Sequence, residues 1–308
     1  MSKTLPIILI SIAVLLPFIL VVVIVVYTIF YHTNGAIQTS MPNRKYLLHV
    51  PKSYNPANPI SLVISLHGFI ETPAHQMKVS HWNDLADEYG FIVVYPMGTG
   101  FPLRWGTPSW AGDGGQALRD VKFISDMIDK IEGEYNIDKT RIYANGLSNG
   151  GGMSFLLACK LSDRIAAIGG VAGAYSTPFD ECNPSRPVPV IAFHGDADPI
   201  VPYQGGTRRP PGFSLPAVSD WIAGWAKHNR CNTPPVELPA NGEVSGIRYT
   251  NCAQNADVDF YAVHGGGHSW PGGKGLPRLI VGHTTQDIDA TQVMWDFFQA
   301  HPLHVNGN

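Results

Sequence analysis

Gly146-Leu147-Ser148-Asn149-Gly150 follows the strand-like run Thr140-Arg141-Ile142-Tyr143 and precedes Gly151, Gly152 and the apolar stretch Met153–Ala158. A G-x-S-x-G pattern between a strand and a helix predicts a sharp turn. There the serine takes a strained backbone conformation and its hydroxyl is lifted out of a sheet. The flanking glycines are needed because a Cβ at either place would collide with the neighbouring strand and helix. Ser148 would then sit at a helix N-terminus, with the Asn149 N–H pointing at any anion formed on it. Five-residue matches of this kind are common, so the rest of the chain has to decide whether the serine is chemical.

Two further strand-like runs supply that context. Val188–Phe193 ends in His194-Gly195-Asp196-Ala197-Asp198-Pro199, and Val258–Val263 ends in His264-Gly265-Gly266-Gly267-His268-Ser269-Trp270. Ser, Asp and His thus occur in that order, each just past a strand end, which is the order of α/β-hydrolases and the edge where open α/β sheets place their sites. A free hydroxyl is a poor nucleophile. It needs an imidazole to take its proton and a buried carboxylate to orient that imidazole. Asp198 is preferred over Asp196 because Pro199 and the apolar Ile200-Val201 pair would hold its loop. His268, on a glycine loop able to reach across the crevice, is preferred over His264, which is read as still belonging to the strand. His264 and His268 lack the spacing of a helical metal site, and Gly265–Gly275 lacks that of a phosphate loop, so no metal and no cofactor is expected. A second oxyanion donor is expected after the strand Ser61–Leu66. There His67-Gly68-Phe69-Ile70 allows a turn that faces the Phe69 N–H toward Ser148. His67 is read as a histidine bonding backbone carbonyls beneath that loop rather than a proton carrier. His67 and Trp270 are the candidate residues to touch substrate, Trp270 ahead of the other tryptophans because it lies two residues after His268.

Several segments together resemble the polyhydroxybutyrate-depolymerase-like esterases, which include feruloyl and acetylxylan esterases of carbohydrate esterase family one. They are Leu66-His67-Gly68, Glu88–Pro96, Asp120–Ile124, Gly146–Gly151, Phe193-His194-Gly195 with Asp198–Tyr203, and Gly266–Gly272, spread over about residues 45–300. The resemblance implies an α/β-hydrolase fold with a mostly parallel sheet and helices on both faces. It implies Ser148 as nucleophile, Asp198 as acid, His268 as base, and the Phe69 and Asn149 N–H groups as oxyanion hole. The substrate it implies is an ester, either a hydroxyalkanoate oligomer or an acylated or feruloylated carbohydrate. Asp196 departs from relatives, which often carry an uncharged residue there, and a second carboxylate so close could compete for the histidine. A serine peptidase, or a non-catalytic surface-binding module on the same fold, is the alternative function. The expected lack of an appended binding module counts against a solid polymer as substrate.

Of 308 residues, 44% are hydrophobic and 15% charged, with net charge −3, which gives no nucleic-acid surface. The chain divides into residues 1–35, an N-terminal transmembrane signal anchor with its flanks, and residues 36–308, one catalytic domain. Pro6–Tyr31 is 26 residues without a charge. As a helix it would span roughly 39 Å, more than a hydrocarbon core of about 30 Å. A signal peptide cleaved to release a secreted protein is the alternative, but such apolar regions run to about 15 residues and end in small residues. The expected location is membrane-anchored with the catalytic domain outside. Cys231 and Cys252 bracket a Pro/Asn-rich excursion that a disulfide would close, as the relatives do. Cys159 is read as a buried small hydrophobe, and its pairing with Cys182 is left open. Helices are predicted over Val79–Tyr89, Asp120–Tyr135, Pro216–His228 and Ala290–His301, the last capped by Asp289. Gly205–Pro216 is predicted as a surface loop.

Overall fold

Four apolar runs, Ile60–Leu66 (β3), Ile92–Pro96 (β4), Ala167–Val171 (β6) and Val190–Gly195 (β7), are buried along their whole length. Strands covered on both sides read as continuous apolar segments rather than as alternation. The computed structural model describes residues 37–41, 44–107, 114–208, 213–274 and 276–303. Within them the four runs join Ile37–Met41 (β1), Arg44–His49 (β2), Ile137–Leu147 (β5), Val236–Asn241 (β10), Val244–Tyr249 (β11) and Val258–Val263 (β12) in a ten-stranded sheet of order β1-β2-β4-β3-β5-β6-β7-β12-β11-β10. The six central strands, β4 to β12, are parallel; antiparallel strands close both edges. Because β1 is antiparallel to β2 and β2 to β4, β1 runs in the same sense as the parallel strands.

The helices largely follow the sequence pattern, with two instructive differences. The stretch expected as one helix over Val79–Tyr89 is two, Pro73–Ser80 (α1) and Trp82–Tyr89 (α2), because His81 takes a left-handed conformation at φ 54° and breaks the ladder. Thr72 caps α1 by accepting from the His75 N–H, a start that the apolar periodicity did not mark. The remaining helices are Gly114–Glu134 (α3), Asn149–Lys160 (α4), Val218–His228 (α5), the short Arg278–Val281 (α6) and Ala290–Ala300 (α7). Asp289 caps α7 as expected, accepting from Thr291 and Gln292. The predicted loop Gly205–Pro216 includes a small hairpin, Gly206–Arg208 (β8) with Phe213–Leu215 (β9).

One end of the core is aromatic: Tyr143 stacks on Phe298 at 4.7 Å, and Phe91 on Trp295 at 4.0 Å. Beneath the site edge three side-chain hydrogen bonds link β3 and β5 to α1 and α2. The Asn145 carbonyl oxygen accepts from both Ser65 and the Trp82 indole, and Gln76 donates to Ser65. The expected membrane anchor, residues 1–35, lies outside the described residues. Among the described residues no helix is long and apolar enough to cross a membrane.

Candidate active site

Ser148 stands between β5 and α4 with φ 55° and ψ −117°, the strained turn that the motif predicts. Three backbone bonds hold it there. Its N–H donates to Val171, and its carbonyl accepts from Gly152 and Ala174. A Cβ on Gly150 would lie 2.2 Å from the Leu66 carbonyl oxygen, and one on Gly146 would lie 2.8 Å from the same atom. Both glycines are therefore required by direct backbone packing of the turn on the end of β3. This packing also sets the Gly68-Phe69 loop, which leaves β3, beside Ser148. Asn149 opens α4, so its N–H has no acceptor within the helix.

The oxyanion loop is buttressed from behind by groups that the sequence did not reveal. The Asn149 side chain accepts from the Trp105 N–H (2.7 Å) and donates to Thr107, fastening the 98–107 segment to the serine turn. Glu71 accepts from the Gly68 N–H at 2.8 Å, and His75 Nδ1 lies 3.4 Å from its other oxygen. Burial opposes ionisation of Glu71, yet His75 and the Gly68 N–H lower its pKa below the ordinary carboxylate value. His67 is fully buried, so it is corrected from a substrate-facing residue to a structural one. Its Nδ1–H donates to the Gly68 carbonyl and its Nε2 accepts from the Gly98 N–H at 3.0 Å. Burial pushes its pKa down to about 4.

On the other side, Asp198 and His268 meet as the order of the chain predicts. Asp198 Oδ2 accepts from His268 Nδ1 at 2.8 Å, while Oδ1 accepts from the N–H groups of Ile200 and Val201. His194 Nε2 lies 3.4 Å from the same Oδ2. Burial works against ionisation of Asp198, but the N–H groups of His194 and His268 outweigh it and hold the carboxyl well below the usual carboxylate range. With Nδ1 occupied, Nε2 is the His268 nitrogen left to face a serine. No hydrogen bond joins Ser148 and His268 among the described residues. The strands leading to Ser148 and Asp198, β5 and β7, lie two places apart in the sheet, or about 10 Å.

Asp196 does not compete for His268. It accepts from His264 Nδ1 at 3.1 Å and from the Gly265 N–H at 2.7 Å, tying the two loops together on their exposed side. His264 is the first residue beyond β12, and its Nε2 meets Ser245 Oγ at 2.9 Å. That second Ser–His–Asp chain has its serine near the start of β11, without the strained turn or the helix N-terminus that serve Ser148.

Trp270 is also corrected. It is 1% exposed and its indole N–H donates to Thr291 Oγ1, so it packs α7 against the histidine loop instead of facing substrate. Cys231 and Cys252 are bonded as expected, and Cys159 pairs with Cys182, joining α4 to the segment after β6.

A mostly parallel sheet with Ser, Asp and His following its strands in that order defines an α/β-hydrolase. Residues 45–185 match the family described as Esterase PHB depolymerase. A bifunctional acetylxylan esterase/xylanase from Neocallimastix patriciarum is 34% identical over 157 residues, covering 51% of this chain and 22% of that protein. Feruloyl esterase C from Emericella nidulans is 27% identical over 271 residues, 87% of each chain. The acetyl xylan esterase structure from Aspergillus awamori superposes with a TM-score of 0.59 at 16% identity, covering 86% of this chain and 99% of that one. The family description and the names of these relatives are those of esterases.

Proposed function

We propose that this protein is a serine carboxylic-ester hydrolase that works through an acyl-enzyme. Ser148 attacks the ester carbonyl while His268 takes its proton. The Phe69 and Asn149 N–H groups hold the oxyanion, and His268 returns the proton to the leaving alkoxide. Water then enters by the same route and frees the acid. The observation that carries this reading is the buried Asp198–His268 pair at the sheet edge where the strained Ser148 turn also lies. The substrate class follows the relatives: feruloylated or acetylated carbohydrate, or hydroxyalkanoate oligomers. The uncharged stretch of residues 6–31 is assigned as a membrane anchor holding the catalytic domain outside the cytoplasm.

The test is hydrolysis of a panel of esters by the full-length chain beside Ser148→Ala. The panel holds p-nitrophenyl acetate to octanoate, methyl ferulate, acetylated xylan and soluble hydroxybutyrate oligomers. Turnover that disappears in Ser148→Ala supports the proposal and ranks the substrates. Equal background rates in two folded proteins would overturn it in favour of a non-catalytic module.

A further inference from the structure

His194, on β7, is 2% exposed and takes no part in the proton route above. Its Nε2 lies 3.0 Å from the Val201 carbonyl oxygen. A carbonyl can only accept, so this nitrogen carries a hydrogen. The same nitrogen, while donating to Val201, lies 3.4 Å from Asp198 Oδ2, the oxygen that accepts from His268. Asp198 Oδ2 therefore sits between two imidazoles, one belonging to the triad and one behind it. His194 Nδ1 is sealed from solvent and has no hydrogen-bond partner among the described residues. The residue also lines a cavity of about 10 Å³ with Gly267, Ser269, His283 and Thr285, room for one water.

We propose that His194 is a positioning residue for the hydrolysis. Its Nε2–H fixes the rotamer of Asp198 and, by sharing the charge on Oδ2, limits how strongly that carboxylate stabilises the His268 imidazolium. An oxygen already donated to by one N–H is a weaker partner for the next. Removing His194 leaves Asp198 free to turn and makes Oδ2 a stronger base toward His268. The first effect lowers kcat. The second moves the acid limb of the pH–rate profile to higher pH, since a better-stabilised imidazolium holds its proton longer. The other titratable groups around the pair are Tyr203, whose ring centre lies 6.0 Å from that of His194, His283 held by Glu243, and Asp196 with His264. All of these stay in place in the variants below.

This inference rests on the serine-hydrolase reading, and the experiment separates the two. Wild type, Ser148→Ala, His194→Leu and His194→Gln are compared for kcat, KM and the pH profile on p-nitrophenyl acetate. In His194→Leu, kcat should fall roughly tenfold or more, the equivalent of one hydrogen bond to a charged group. KM should be unchanged and the acid limb should rise. His194→Gln, which keeps a donor at the same reach, should recover most of both. Losses of equal size in the two variants, or a folded His194→Leu with wild-type kcat and acid limb, overturn the proposal. Should His194→Leu not fold, imidazole ¹H–¹⁵N spectra of the wild type decide. His194 must be the Nε2–H tautomer from pH 5 to 8, and its Nε2–H signal must move as His268 titrates; an unprotonated Nε2, or a signal blind to His268, refutes it. If the wild type has no Ser148-dependent turnover, the hydrolase reading fails by itself, and the spectra still report on the His194–Asp198–His268 chain.

Discussion

Lowering the pH from 7 to 5 places a measurable load on one buried ring, His67. In the folded chain its Nε2 must stay unprotonated to accept the Gly98 N–H, while Nδ1–H is engaged with the Gly68 carbonyl. Burial lowers its pKa from the ordinary 6.5 to about 4. Between those values the unfolded chain binds a proton that the folded chain refuses, so stability is fully present above pH 6.5 and is lost as pH falls toward 4. The gap corresponds to about 3 kcal/mol at the acid end, with about 2 kcal/mol already lost at pH 5. Urea unfolding at pH 7 and pH 5 measures it, with His67→Gln as the reference that cannot titrate. Wild type should lose about 2 kcal/mol more than the variant over this interval. Acid-sensitive groups remote from the ring, Asp198 among them, contribute equally to both proteins and cancel. Equal losses in wild type and a folded His67→Gln would refute the reasoning.

Three other outcomes are expected. Gly150→Ala would drive a Cβ into the Leu66 carbonyl, lowering stability by about 3 kcal/mol and abolishing Ser148-dependent turnover, as read by thermal unfolding and an ester assay. Trp270→Phe loses the bond to Thr291 and part of a fully buried ring, so stability should drop by about 2 kcal/mol or more with KM unchanged; a large rise in KM would return Trp270 to the substrate site. Replacing both Cys231 and Cys252 by alanine opens a loop with a sequence separation of 21, and denaturant unfolding should register a loss of about 3 kcal/mol.

What could be read from the sequence was local, or was fixed by the order of motifs along the chain. The serine turn announces itself because its glycines are demanded by packing within one strand–turn–helix unit. Asp198 and His268 could be paired because each follows its own strand, and parallel strands deliver their ends to one edge. Partners set by tertiary approach stayed hidden. Nothing near Asp196 marks His264 as its partner, since the two meet only when β7 and β12 are neighbours. Nor does the sequence beyond Phe193 mark His194 as a neighbour of the Asp198 carboxylate. Trp270 sits two residues from His268, yet a turn sends the indole inward to Thr291. Cys159 and Cys182 carry no spacing signal, and the break at His81 rests on one left-handed residue inside a pattern that otherwise reads as a single helix.

The sense of β1 has a consequence for what the enzyme can reach. Ile37 is the end of β1 away from the Ser148 edge, because β1 points its other end, Met41, toward the side on which β4 finishes. With residues 6–31 held in a bilayer as proposed, the tether would join the domain at its base, and the crevice would open outward like a cup on a stem. Such a protein samples esters arriving from the surroundings and turns its back on the lipids beneath it. An anchor of that kind would keep the catalyst at the cell boundary.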